Sequence, residues 1–297
     1  MLSRIRWPRG VRAGLLGGLL LAAGPPAAPT LLAPPNGAVG VPTSVSLGVL
    51  VSDPDAGNLT VTFYGRDATA VSPDFTVAVL PDTQFYVSSL FGGVPATFNQ
   101  QTQWIVDHED SLNIVFVPHL GDCVQDGDFF VGEWQNADDA LSLLEDPATT
   151  GLPDGLPYGV SVGNHDQTPW GSATGTTTNY NGFFGSSRFG GRAYYGGHYG
   201  TNNDNHYELF ETGGLTFIAI SFEYDTSPDA AVLAWADSLL TAYSTRRAIV
   251  YSHYLIETGN PGSWGTQGQA TYDALKDHPN LFLMLCGHVS GDAAESG

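Results

Sequence analysis

The residues best suited to chemistry stand together in Val160-Ser161-Val162-Gly163-Asn164-His165-Asp166. An apolar run stops at a glycine, and an amide, an imidazole and a carboxylate follow in succession. Groups set on a loop at the end of a rigid strand are well placed for catalysis. Taken alone, Gly-Asn-His-Asp is equally a polar turn. Four other apolar runs end in similar residue types: Pro81-Asp82-Thr83-Gln84, Gly121-Asp122-Cys123-Val124-Gln125-Asp126, Ser252-His253-Tyr254 and Gly287-His288-Val289-Ser290. Carboxylates, amides and imidazoles gathered at one edge of a sheet suit a pair of divalent metals. A central carboxylate can bridge ions about 3.5–4 Å apart, which then clamp an oxyanion and acidify a water.

The elements that must position these groups alternate. Strands are predicted over 75–80, 113–118, 158–162, 206–210, 215–222, 248–252 and 281–286, with Gly213-Gly214 turning the fourth into the fifth. Helices are predicted over 97–108, 133–144, 230–240 and 269–276. The first carries Trp104 and Ile105 on its apolar side, and the second spaces Trp134, Ala137, Leu141 and Leu144 at helical intervals. No internal repeat is present. The order implies an α/β fold with polar loops gathered at strand ends.

These five segments, in this order, resemble the calcineurin-like metallophosphoesterases, over about 75–290. The resemblance implies a layered α/β/β/α sandwich with two divalent ions (Mn, Zn or Fe) at one edge. It implies Asp82 and Gln84 on the first metal and Asp122 bridging both. Asn164, His253 and His288 hold the second, and Asn164 also faces substrate. His165 is the acid beside the leaving group, with Asp166 orienting its imidazole. The implied reaction is hydrolysis of phosphate mono- or diesters by a hydroxide activated between the two metals. Two positions depart from the family pattern. Gln84 stands where Asp-x-His has its histidine, and Ser290 where Gly-His-x-His has its second. Both losses fall on the first metal, for which an amide oxygen is a weaker donor than imidazole toward zinc or iron. Gln125 occupies the place of the tyrosine ligand of purple acid phosphatases, so that branch's iron site is not expected. The thinned site motivates an alternative, a degenerate protein of this fold that binds metal or phosphate with little turnover.

Composition narrows the partners. The chain has 297 residues, 30 acidic and 10 basic, for a net charge of −20. Arg4, Arg6, Arg9 and Arg12 account for four of the ten, so without them six basic groups face 30 acidic ones. Such a surface repels polyanions, so neither nucleic acid nor, after signal removal, membrane is expected as a partner. The basic region, the apolar run 13–23 and the small residues after it have the layout of a secretory signal peptide over 1–28. A secreted, periplasmic or extracellular location is expected. Residues 29–67 read as a partial immunoglobulin-like β segment with strands at 44–51 and 59–64. In the loop between those strands, Asp53, Asp55 and Asn58 suggest calcium or, more simply, a turn. The main domain takes 75–297. Only 291–297 follow the last motif, which suggests a sandwich truncated at its C-terminus.

Cys123 and Cys286 form one bridge at most and are expected as two buried thiols. The loop 168–205 is rich in glycine and aromatics and carries Arg188 and Arg192. It is expected either to wall the pocket and present an arginine to substrate phosphate, or to pack on itself with its arginines solvated. His108, His198, His206 and His278 read as structural. His119 reads as a supporting residue of the site or a core residue.

Overall fold

The computed structural model describes residues 2–6, 30–35, 38, 46–52, 60–64, 74–127, 129–259 and 261–289. The chain divides into two compact units, Met1–Val71 and Ser72–Gly297. In the first, β1 (Leu2–Arg6) awaits an antiparallel partner later in the unit, while β2 (Thr30–Ala33) pairs antiparallel with β3 (Gly48–Leu50). That partner of β1 is β4 (Thr60–Tyr64), which gives two separate two-stranded ribbons. The loop 53–58, Ser290 and most of the proposed signal segment lie outside the described residues. Among the described residues no helix is long and apolar enough to cross a membrane.

The second unit is mixed α/β with two sheets. It opens with β5 (Thr76–Val77), the one-turn helix α1 (Gln84–Val87) and the long helix α2 (Pro95–Leu112). Pro95 sits at the first helical position, where its missing N–H is not needed. Asn113 ends α2 in the left-handed region, and its N–H bonds back to the Asp110 carbonyl. Phe98, Thr102, Ile105 and Val106 form the buried face of α2. Trp104, expected on that face, is 49% exposed and stacks on His108 instead. At 100° per residue the 98–102–105 stripe cannot also include position 104.

The strand β6 (Ile114–His119) is flanked by β5 and, later, β7 (Tyr158–Val160) in a parallel sheet. Its nearly continuous burial is the pattern of a parallel strand covered on both faces. Between them lie α3 (Val131–Leu141) and the short α4 (Pro147–Thr150). Trp134, Ala137, Leu141 and Leu144 are all fully buried, as their spacing predicted. The loop after β7 is less irregular than its composition suggests. It contains α5 (Thr178–Phe184), α6 (Ser186–Phe189) and β8 (Tyr195–His198).

β9 (His206–Thr212) and β10 (Leu215–Phe222) form a hairpin through Gly213 and Gly214, whose φ values of 55° and 76° demand glycine-like freedom. Then come α7 (Ala230–Ala242), β11 (Arg247–Ser252), α8 (Thr266–Leu275) and β12 (Leu281–Leu285). The Asp229 carboxylate caps α7 by accepting from the Ala231 N–H at 2.8 Å. The second sheet runs β12-β11-β10-β9-β8, parallel among the first three.

Alternation along β10 and β11 assigns their two faces. Ile218, Ile220, Phe222, Ala248 and Val250 pack against Ala236, Leu240 and Leu275 of α7 and α8. Phe217, Ala219, Ile249 and Tyr251 turn the other way, to a cluster that includes Phe116 of β6. Phe116 stacks on Phe210 at 4.8 Å and Phe210 on Phe217 at 4.9 Å, so the two sheets meet through aromatic rings. The opposite side of β6 and β7 is covered by Phe98 and Ile105 of α2, Trp134 of α3, and Tyr180 and Phe184 of α5.

Candidate metal centre

Five strand ends deliver the candidate residues, and glycines let them approach. Gly121 has φ +88°, and a Cβ there would sit 2.8 Å from the His253 Cβ. A Cβ on Gly163 would lie 2.1 Å from the Asp122 amide nitrogen and its Oδ1. Any side chain at either position would push the strand ends apart. Asp122 itself is held at φ 49°, a conformation that costs free energy in a non-glycine residue and is retained here at the centre of the site.

Asp122, His253 and His288 offer ligand atoms that all lie within 4.8 Å of one another, the one such group among the described residues. The His253 Nδ1–H donates to the Leu120 carbonyl at 2.9 Å, which fixes the ring and turns Nε2 inward. Nε2 then faces Asp122 Oδ2 at 3.0 Å and His288 Nδ1 at 3.0 Å. Burial opposes a charge on His253, but Asp122 and Asp82 outweigh it and raise the imidazole to about 9. Burial likewise pushes the Asp122 carboxyl up, yet His253 and the His165 N–H outweigh burial and hold it below its ordinary value. His288 is lowered by burial and by the neighbouring charge on His253. A single proton on Nε2 therefore occupies the point where three ligand atoms converge, and a cation would take the same place.

Asn164 Oδ1 and Gln84 Oε1 are buried without a hydrogen-bond partner, as are the amide oxygens of Asn99, Gln101, Gln125, Gln167 and Asn280. A buried oxygen without a donor is costly, and the two at predicted ligand positions are free to accept a cation. Asp82 accepts from the Gln84 N–H at 3.1 Å. Its carboxyl is raised to about 8 by burial and then by Asp122, against the pull of His253. A bound cation would relieve this crowding of carboxylates. The donor set fits divalent ions: oxygens alone from Asp82 and Gln84, and oxygens with two imidazoles from Asp122, Asn164, His253 and His288. Ser290, the position read as a lost ligand, lies outside the described residues.

His165 is held beside this group. Its backbone N–H donates to Asp122 Oδ1 at 2.9 Å, and its Nδ1–H to the Gln125 carbonyl at 2.8 Å. Asp166, expected to orient the imidazole, does something else. Its carboxylate is buried and accepts from the N–H groups of Gly163, Cys123 and Val124 at 2.8, 3.2 and 3.1 Å. Burial and the charge on Asp122 raise its pKa to about 7 despite these three donors. Asp166 clamps the two loops together, and a main-chain carbonyl orients the ring.

The arginines do not face this centre. Arg188 donates to Glu145 and Tyr158 through Nε, to Asp138 and the Phe183 carbonyl through Nη1, and to Ser142 through Nη2. Arg192 donates to the Asp154 carbonyl and pairs with Glu145 at 2.9 Å. Both guanidinium groups brace the segment after α3, so the expected phosphate contact is corrected. Arginine in an acid-poor loop found carboxylates elsewhere in the fold, which sequence distance concealed. Cys123 is buried, as expected, but Cys286 is only partly so. His119 is buried and accepts from the Gly121 N–H. Its Nε2–H then donates to Thr83, which donates to the Cys123 carbonyl. Burial first, and then the charge on His253, lower the His119 pKa to about 3, so it supports the site as a neutral ring.

Two aromatic residues escaped the sequence reading. The Tyr224 ring lies 6.1 Å from His253 and 5.4 Å from His288. Trp170 lies 4.6 Å from the His165 ring. Tyr224 could have been found, since it follows the end of β10 just as the ligands follow their strands.

No family model matches the sequence. The chain is 34% identical over 215 residues, 72% of its length, to the uncharacterized protein YvnB of Bacillus subtilis. It spans only 15% of the length of that curated relative. Among solved structures it is similar to a dimetal phosphatase from Danio rerio, with TM-score 0.42 and 14% identity, covering 73% of this chain and 82% of that one. It is also similar to GAP50, the anchor in the inner membrane complex of Plasmodium, with TM-score 0.43 and 13% identity over 71% of this chain and 65% of that one. Likenesses at this level bear on neither the fold nor the chemistry.

Proposed function

We propose that this chain is a secreted, metal-dependent phosphoesterase that hydrolyses phosphate mono- or diesters, with the calcineurin-like layered sandwich as its fold. The observation that carries the reading is the convergence of Asp122, His253 and His288, with Nε2 of His253 3.0 Å from each neighbour. Asp82, Gln84 and Asp122 would hold one ion, and Asp122, Asn164, His253 and His288 the other. Divalent cations bound there supply Lewis acidity toward a phosphoryl oxygen and lower the pKa of water. The chain's own residues do the rest. The Gln125 carbonyl keeps the proton of His165 on Nδ1, so Nε2 is the atom that exchanges a proton with substrate. As the oxygen of water bonds to phosphorus, the bond from phosphorus to the ester oxygen breaks with its electron pair. The proton on His165 Nε2 passes to that departing oxygen, and the proton released by water restores the imidazolium. Asp166 holds the two loops in register throughout.

The wider expectations belong to the same proposal. The basic and apolar residues of 1–28 support export, the strands β2, β3 and β4 within 29–67 an immunoglobulin-like appendage, and the acidic surface a phosphoester rather than a nucleic-acid partner. A second reading, a binding protein with little turnover, draws on Gln84, whose buried Oε1 is a weak substitute for imidazole. Metal content by mass spectrometry, alongside hydrolysis of an aryl phosphate, tests the first reading. Bound metal with hydrolysis supports it. Two ions per chain without turnover of mono- or diesters favours the second, and a chain that takes up no metal overturns the first.

A further inference from the structure

Trp170 is 50% exposed, and an isolated exposed aromatic would need no explanation. Its position supplies one. The indole lies 4.6 Å from the His165 imidazole, tilted by 41°. The turn that carries it is pinned on both sides. Thr168 and Thr176 exchange backbone hydrogen bonds of 2.9 and 2.8 Å, and the Gly171 N–H donates to the Asn164 carbonyl at 2.9 Å. The ring is thus a fixed surface beside the imidazole, held by the same loop that carries Asn164 and His165.

We propose that Trp170 is the platform for the leaving group and that this group is a planar aromatic alcohol. The inference rests on the reading of His165 as the acid. An ester oxygen that takes its proton from Nε2 must lie against the imidazole, and the group attached to it then extends over the neighbouring indole. A flat aromatic ring covers the exposed half of that indole and gains from offset stacking. A small alkyl group covers little of it. Trp170 touches substrate without exchanging a proton, so it sets specificity and leaves the chemical step to His165.

The test is calorimetric binding of two non-hydrolysable probes, phenylphosphonate and methylphosphonate, to the full chain equilibrated with manganese. The native chain should bind the phenyl probe about tenfold more tightly, an amount within reach of one stacked ring. Trp170→Ala should erase that preference and leave methylphosphonate binding as it was. Trp170→Phe should retain most of it. Trp264→Ala, which removes an exposed aromatic stacked on Tyr272, should change nothing. In turnover, Trp170→Ala should lower kcat/KM for phenyl phosphate and spare methyl phosphate. An unchanged phenyl preference in Trp170→Ala overturns this inference and leaves the phosphoesterase reading standing. A native chain that binds neither phosphonate overturns that reading and this inference with it.

Discussion

Two buried histidine–carboxylate pairs in this fold use the same chemistry to opposite ends. At the strand ends, His253 Nε2 lies 3.0 Å from Asp122. Within the second sheet, His206 Nε2 lies 3.2 Å from Glu208. Both histidines tie Nδ1 to a main-chain carbonyl, Leu120 for one and Asn203 for the other. The surroundings then diverge. Glu208 accepts from the Tyr251 hydroxyl at 2.9 Å, and Glu208 Oε1 faces His206 without a well-aligned hydrogen bond. The first sheet closes over this pair. A Cβ on Gly159 would fall 2.0 Å from the Tyr251 hydroxyl and 2.6 Å from Glu208 Oε1. No ligand can enter, and the pair braces β9 against β11. Asp122 and His253 instead meet loops from several strands and a third candidate ligand in His288. Place along the strand, rather than residue type, separates a brace from a candidate ligand set.

Breaking each pair should separate the two roles. His253→Ala and His206→Ala each remove a buried imidazole that faces a carboxylate, leave a cavity, and should each cost about 2–5 kcal/mol of stability. Only His253→Ala should also lose bound metal and reduce hydrolysis to background. Equal metal loss in both variants, measured by mass spectrometry after gel filtration, would erase the contrast. A smaller change comes from the group beside the centre. His165→Ala should lower turnover by roughly 10²–10⁴ for a poor leaving group and less for a good one. Metal content should hold; if the ions leave, His165 is a ligand rather than the acid.

The arginine cluster sharpens the comparison as a second brace. Arg188→Ala removes the partner of Asp138 and Glu145 and should cost about 2–4 kcal/mol in denaturant unfolding. KM for any hydrolysed ester should stay within twofold, and a large rise in KM would return Arg188 to the substrate site.

The smallest effect concerns Glu223, which accepts from Asn205 at 2.9 Å and Gln167 at 3.3 Å. Burial, then Asp204 and Asp225, raise its carboxyl from 4.5 to about 8. Between those values the unfolded chain has lost a proton that the folded chain keeps, so stability falls as pH rises through that window. Glu223→Gln should remove this slope and melt roughly 2–4 °C above the native chain at pH 8. Below pH 4.5 the advantage should vanish. Parallel melting curves across that range would contradict the assignment.

Local chemistry alone determined much of this protein. Periodicity placed α2, α3, α7, α8 and the seven strands β5, β6, β7, β9, β10, β11 and β12 within a few residues, because amphipathic spacing and glycine turns act over short stretches. The strand-end positions of Asp82, Asp122, Asn164, His253 and His288 were readable for the same reason. Tertiary structure alone decided which groups meet. It gave the His165 proton to the Gln125 carbonyl rather than to Asp166, and it sent Arg188 to Asp138 and Glu145. It also buried His206 against Glu208 while leaving Trp170 open beside His165. Each of these contacts joins residues that differ in neither type nor pattern from many others in the chain. Their partners are chosen by how sheets and helices stack, and a hydrogen bond across 40 positions leaves no periodic trace in sequence.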